Sequence, residues 1–125
     1  MCDLGFFFGD LNYRLNSDFE YLNSNLEETK KKKLDQLYIT MNKDNNFVCY
    51  EEGEIKWYPT YKLSHTEELV YVNKKNQAHS YTDRILFRNN SINNLNIINY
   101  TANHSLLGSD HRPVQLDLSF PLRTY

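Results

Sequence analysis

The chain has 125 residues, 40% of them hydrophobic and 24% charged, with a formal net charge of −2 at neutral pH. That composition excludes a disordered tail, and the acidic balance argues against a protein devoted to a nucleic-acid backbone, which usually carries a basic excess. No apolar run reaches the roughly 18 residues of a membrane span, and Met1-Cys2-Asp3-Leu4-Gly5 lacks the basic-then-apolar order of a signal peptide, so a cytosolic chain is expected.

Leu4 to Phe8 is short, apolar and aromatic, ends at Gly9-Asp10, and predicts a strand buried on both faces. Ser17-Asp18-Phe19-Glu20 fits a capping box, so a helix is expected to begin there with Phe19, Leu22 and Leu26 on one face. Glu27 and Glu28 stand four residues before Lys31 and Lys32, the favourable order for ion pairs on a helix surface, which makes Lys30 to Lys33 a solvated helix end. A second helical pattern, Leu34, Leu37, Tyr38 and Met41, runs into the polar cluster 42–46. Phe47 to Tyr50 and Ile55 to Tyr58 predict two short strands around the Glu51-Glu52-Gly53-Glu54 turn, the second ended by Pro59. Thr82 to Phe87 and Leu95 to Thr101 are the next β-like runs, and in the last one Val114, Leu116, Leu118 and Phe120 alternate with Gln115, Asp117 and Ser119. Cys2 and Cys49 give neither a disulfide framework nor metal-ligand spacing and read as reduced thiols. Sixteen asparagines fill the predicted loops, and the sequons at Asn89, Asn99 and Asn103 are expected to be accidents of that bias.

Four polar clusters fall at the ends of these strands: Gly9-Asp10-Leu11-Asn12-Tyr13-Arg14, Pro59-Thr60-Tyr61-Lys62, Ser80-Tyr81-Thr82-Asp83-Arg84 and Gly108-Ser109-Asp110-His111-Arg112-Pro113. Singly, each reads as a turn. Together they place three Asp, one Asn, one His and several cations at strand ends, which is the inventory for metal-assisted attack of water on a phosphate.

With these motifs the chain resembles the C-terminal half of the catalytic domain of the inositol polyphosphate 5-phosphatases, whose fold is shared with DNase I and the exonuclease III type nucleases. The family's aromatic strand and Gly-Asp-Leu-Asn-Tyr-Arg stand here as Phe6 to Arg14, and its Pro-Ser-Tyr-Thr-Asp-Arg-Ile-Leu as His79 to Leu86. Asp35-Gln36-Leu37, Glu52-Gly53-Glu54-Ile55, Pro59 to Lys62 and Ser109 to Val114 complete six blocks in the family's order. The resemblance implies an α/β (α+β) fold, part of a DNase I-like β-sandwich flanked by helices, with residues 1–125 forming the C-terminal portion of a catalytic domain. It implies a Mg2+-dependent hydrolase of the 5-phosphate monoester. By the same resemblance, Asp10 is expected to orient or deprotonate the attacking water, Asn12 to hold that water or the oxyanion, His111 to contact the scissile phosphate, and Asp83 to fix the tautomer of His111. The resemblance also implies that Asp110 lies near the magnesium ion and that Tyr61, Lys62 and Lys75 hold the neighbouring phosphate, while Arg14 and Arg84 either add positive field for the substrate or serve structural ion pairs.

Two departures, a lost Arg and a lost Pro, bear on selectivity, and a larger one bears on activity. Gln77-Ala78-His79 replaces the family's Arg-x-Pro, which is expected to weaken recognition of the neighbouring phosphate and to free the loop leading to Asp83. The family's metal-binding Glu, a metal-site Asn and a further His belong to the N-terminal half of the domain and have no counterpart upstream of Phe6, so the isolated chain is expected to be inactive and to expose apolar surface. The implied partners are a phosphoinositide headgroup or an inositol polyphosphate, with peripheral contact at a cytoplasmic membrane face and no nucleic acid. A nuclease of the same fold and a non-catalytic truncated module are the alternatives.

Overall fold

A computed structural model describes residues 3–43 and 47–122, so Cys2 and part of the 42–46 cluster lie outside the described residues. The chain forms β1 (Leu4–Asp10), α1 (Phe19–Ser24), α2 (Gln36–Lys43), β2 (Asp83–Asn89), β3 (Asn96–Ala102) and β4 (Val114–Ser119), with 3-10 turns at Leu26–Lys30 and Lys32–Leu34. β1 pairs antiparallel with β2, Leu4 opposite Asn89 and Asp10 opposite Asp83, and β3 pairs antiparallel with β4. The register of the first ribbon is the fact on which the site rests, because it brings two carboxylates side by side at one end.

The two ribbons pack against each other through a core of Leu15, Leu22, Trp57, Tyr81 and Tyr100, to which Ile85 of β2 and Val114 and Leu116 of β4 contribute. Tyr100 joins them directly: its ring meets Trp57 edge-on at 4.6 Å and its hydroxyl accepts the Ile85 N–H at 3.0 Å. A second cluster, Phe19, Leu63 and Tyr71, seats α1 against the irregular segment 59–72.

Several expectations are corrected. β1 is not buried on both faces: Phe6, Phe7 and Phe8 are exposed, Phe8 by 70%. β1 is the edge of a two-stranded ribbon, and only Phe7 finds aromatic neighbours, Phe47 and Tyr50. The first helix is capped by Asp18, whose carboxylate accepts the Tyr21 N–H at 2.8 Å, in place of Ser17. It ends at Ser24 because Asn25 leaves helical geometry and its side chain donates to the Tyr21 carbonyl. The segment then continues in 3-10 turns, where residues three apart eclipse, so the ion pairs are Glu27–Lys30 and Glu28–Lys31 rather than pairs four apart.

Leu34 precedes α2 but still packs on the core, Leu37 is buried and Tyr38 is exposed. The strands expected at 47–50 and 55–58 do not form: Phe47 and Cys49 take positive φ, and Glu51 alone bridges to Phe87 of β2. Trp57 instead enters the core from an irregular segment, its carbonyl accepting the Tyr81 hydroxyl at 2.6 Å. Three later strands form close to their expected bounds, with Phe120 beyond β4 and exposed. Cys49 is a free, exposed thiol.

Candidate active site

Asp10 ends β1 and Asp83 begins β2, directly opposite in the ladder, and Leu11 N–H extends the pairing to Thr82 O at 2.7 Å. Gly9 takes φ +129°, a conformation closed to side chains, which lets the strand turn out immediately before Asp10. Asn12 sits in the left-handed region at φ 62°, donating its N–H to Asp10 Oδ1 at 3.0 Å while its own Oδ1 accepts Arg14 at 2.6 Å. The Gly-Asp-Leu-Asn-Tyr-Arg block is therefore one folded turn that presents the Asp10 carboxylate outward.

His111 arrives from the loop before β4. Its Nδ1 lies 2.9 and 3.1 Å from the two Asp83 oxygens, so Nδ1 donates to Asp83 and Nε2 is turned to the open side. There Nε2 stands 3.9 Å from Asp10 Oδ2 and 4.0 Å from Asp110 Oδ1. The Tyr61 ring lies against the imidazole, centroids 4.5 Å apart, and the Arg14 guanidinium covers Tyr61 at 4.9 Å. Asp83 also accepts the Thr60 hydroxyl at 2.8 Å and the Thr82 hydroxyl at 3.1 Å. A cleft of about 400 Å³ opens beside the cluster, walled by Phe8, Ile85, Pro113 and Val114.

One orienting acid, one imidazole and two outward carboxylates form a hydrolytic arrangement. Among the described residues neither Asp10 nor Asp110 has a Lys or Arg ion-pair partner, although both crowd the same imidazole nitrogen. Two unneutralised carboxylates around one open position suit a hard cation that prefers oxygen ligands. Asp10, Asp83 and His111 also lie close enough together to offer ligand atoms to one ion.

The structure thus brings together Asp10, Asn12, Arg14, Tyr61, Asp83, Asp110 and His111. Lys62 follows Tyr61 and is half-buried, its carbonyl accepting Val72 N–H, and Lys75 is exposed on the turn at 74–76. Neither ammonium makes an ion pair among the described residues.

Of the two roles open to Arg84, the structure shows the structural ion pair and not the substrate-facing cation. Its guanidinium is 1% exposed and all five of its N–H groups are committed, to Glu52, Asp35 and the Tyr81 carbonyl. Burial pulls its pKa down, but the hydrogen bonds to Glu52 and Asp35 more than reverse this, so it stays charged and structural. The loop before Asp83 is not freed by the missing proline either. His79 is buried, stacked on Tyr71 at 3.9 Å and tilted against Phe19 at 4.9 Å.

The sequence carries no signal for Thr60 beyond its Pro-Thr-Tyr-Lys block, and none for a role of Arg112. The Arg112 side chain is buried and ties the carbonyls of Ser109, Ser64 and Glu67, joining the loop at 64–67 to the one that carries His111.

The family described as Endonuclease/Exonuclease/phosphatase family 2 matches residues 2–117. The chain belongs to this family. It is 30% identical over 115 residues to the rat (Rattus norvegicus) phosphatidylinositol polyphosphate 5-phosphatase type IV, covering 87% of this chain and 18% of that protein. It is 32% identical over 122 residues to type IV inositol polyphosphate 5-phosphatase 11 of Arabidopsis thaliana, covering 93% of this chain and 36% of that protein. Among solved structures it resembles the inositol polyphosphate 5-phosphatase domain of SPsynaptojanin in complex with inositol (1,4)-bisphosphate and calcium ion. That match has a TM-score of 0.78 and 30% identity over 91% of this chain and 33% of that domain's chain. A Cimex nitrophorin shares the fold alone, with a TM-score of 0.81 at 23% identity over 96% of this chain and 42% of that one. The chain thus spans about a third or less of the 5-phosphatases it matches, and the α+β fold expected for part of a DNase I-like domain is the fold observed.

Proposed function

We propose that the whole protein is a Mg2+-dependent phosphatase that removes the 5-phosphate monoester from a phosphoinositide or inositol polyphosphate, and that this chain carries the nucleophile-activating and phosphate-contacting part of its site. The observation that carries the reading is the Asp83–His111 pair, with Nε2 presented between Asp10 and Asp110. Its chemistry suits the substrates named for the similar proteins, a phosphatidylinositol polyphosphate and an inositol polyphosphate.

Asp83 holds the Nδ1 proton of His111, so Nε2 meets a phosphoryl oxygen in one orientation. Asp10 accepts a hydrogen bond from the attacking water and takes its proton as the water oxygen bonds to phosphorus and the bond from phosphorus to the ring 5-oxygen breaks, that oxygen leaving as a hydroxyl with a proton from solvent, while Asn12 steadies the water or the developing oxyanion. Asp110, beside Asp10, would hold the cation, and a bound Mg2+ supplies charge neutralisation at the phosphoryl oxygens. Activity is proposed for the whole protein, with the principal Glu ligand implied by the family resemblance supplied from outside these residues. Tyr61, Lys62, Lys75 and Arg14 are proposed to face the rest of the headgroup.

Membrane contact is supported by apolar side chains on two loops tied to the site. Leu69 and Val70 lie in the loop after Leu63, Leu106 and Leu107 in the loop before Gly108, and all four are exposed. The loops are bonded to each other, Gly108 N–H to His65 O at 2.9 Å, and to the site, Leu63 N–H to Asp110 O at 2.9 Å. Exposed apolar residues beside a phosphate site suit a lipid headgroup presented at a membrane surface. We infer peripheral action at a cytoplasmic face; no helix among the described residues is long and apolar enough to cross a membrane.

The test is phosphate release by the whole protein, with Mg2+, from short-chain phosphatidylinositol 4,5-bisphosphate and, in parallel, cleavage of duplex DNA. Release of the 5-phosphate without DNA cleavage is expected; DNA cleavage without phosphate release would replace this reading with a nuclease.

A further inference from the structure

Of the bonds that reach the Asp83 carboxylate, one comes from a residue with no role so far. The Thr60 hydroxyl donates to Asp83 Oδ2 at 2.8 Å, and Thr60 is fully buried. Its carbonyl accepts the Arg112 N–H at 3.0 Å, one residue after His111. The same residue therefore touches both members of the pair, the acid by its side chain and the histidine's segment by its main chain. The Thr82 hydroxyl also reaches Oδ2, at 3.1 Å, but it belongs to the residue next to Asp83 and moves with it. Thr60 comes from a separate segment, anchored by the Tyr71 hydroxyl on Pro59 O at 2.5 Å and continued by Tyr61, which lies against the His111 ring.

We propose that Thr60 is a positioning residue for the Asp83–His111 pair. A hydroxyl has a single proton to give, and here it is given to the oxygen that also receives His111 Nδ1 at 2.9 Å. That bond fixes the rotation of the carboxylate relative to the imidazole. Without it the carboxylate turns, the Nδ1–H bond lengthens, and the ring loses its preference for the tautomer that carries its proton on Nδ1. Among the described residues the Thr60 hydroxyl makes no hydrogen bond to Asp10 or Asp110 and acts through Asp83. The geometric assignment stands on the observed bonds, while its consequence for turnover rests on the hydrolase reading above.

The experiment records the ring tautomers of the four histidines in the full 125-residue chain by long-range proton–nitrogen NMR, with His111→Gln assigning the resonance of interest. Thr60→Val, nearly the same shape without the hydroxyl, is expected to shift the His111 tautomer ratio roughly fivefold toward Nε2–H, the size of one ordinary net hydrogen bond. Thr60→Ser is expected to restore the wild-type signature. His79 packs on Tyr71, whose hydroxyl holds Pro59, so its unchanged signal shows that the segment has kept its place. A Thr60→Val spectrum in which His111 keeps its wild-type tautomer would overturn the proposal. So would one in which His79 and His111 move together, because that marks a structural role. Where valine strains the site, Thr60→Ala against Thr60→Ser decides by the same criterion. In the whole protein Thr60→Val lowers kcat by a similar factor with KM unchanged, and serine restores it. A tautomer shift in a protein whose wild type releases no phosphate would refute the hydrolase reading and leave the positioning role intact.

Discussion

Replacing Arg84 by methionine separates a structural guanidinium from a substrate-facing one. The side chain is 1% exposed, and those of its two carboxylate partners, Asp35 and Glu52, are 8% and 12% exposed. Four charge-assisted bonds of 2.7 to 2.9 Å join them, and the Tyr100 hydroxyl adds a fifth contact to Glu52 at 2.7 Å. Removing the cation strands two carboxylates in the interior, and breaking a buried pair in this way costs about 3–5 kcal/mol. For a chain of this length that corresponds to a fall in melting temperature of about 12–20 °C. Urea or thermal unfolding of Arg84→Met followed by circular dichroism gives the measurement. Adding Asp35→Asn and Glu52→Gln to the same variant is expected to recover part of the loss, because no uncompensated charge is then left behind. A single variant within about 1 kcal/mol of wild type would refute the reasoning and return Arg84 to the substrate side of the site.

Other outcomes follow from the same geometry. His79 is buried without a hydrogen-bond partner at either ring nitrogen, and burial lowers its pKa to about 4 from the ordinary 6.5. The unfolded chain therefore binds the proton more readily, so stability is full above pH 6.5 and falls by about 3 kcal/mol as pH drops from 6.5 to 4; His79→Leu flattens that part of a pH–stability curve. An added Cβ at Gly53 would stand 2.9 Å from the Tyr100 ring, so Gly53→Ala is expected to cost about 1–3 kcal/mol in denaturant titration. Asp18→Ala removes the cap of α1 and is expected to cost about 1 kcal/mol in the same titration. In the whole protein, chelation of divalent cations abolishes phosphate release and Asp110→Asn raises the Mg2+ concentration needed to restore it.

The residues that gather at the candidate site were legible because their signals are local. A glycine able to take positive φ before Asp10, and carboxylates at strand ends, are properties of short segments, and the pairing of β1 with β2 then made neighbours of Asp10 and Asp83. Strand alternation placed β4 well for the same reason. What failed depended on partners that periodicity does not carry. Phe6 to Phe8 read as buried because they are aromatic, yet all three are exposed on a two-stranded ribbon, and among the described residues only Phe7 gains aromatic neighbours. Ile55 to Tyr58 looked like a strand, but the backbone finds no ladder there and Trp57 enters the core from an irregular segment. Arg84 stands next to Asp83 in sequence and points away from it in space, because successive residues of a strand face opposite sides. Thr60 had no signal beyond its block, since its contact to Asp83 spans 23 positions.

The proposed hydrolysis depends on Asp10 and His111. The decisive measurement is phosphate release by the whole protein from a 4,5-bisphosphorylated inositol lipid, with Mg2+, for wild type, Asp10→Asn and His111→Ala at matched folded concentration. Each variant is expected to lose at least about 100-fold in kcat, the lower range for removal of a general acid or base. Undiminished turnover in either one would contradict the account.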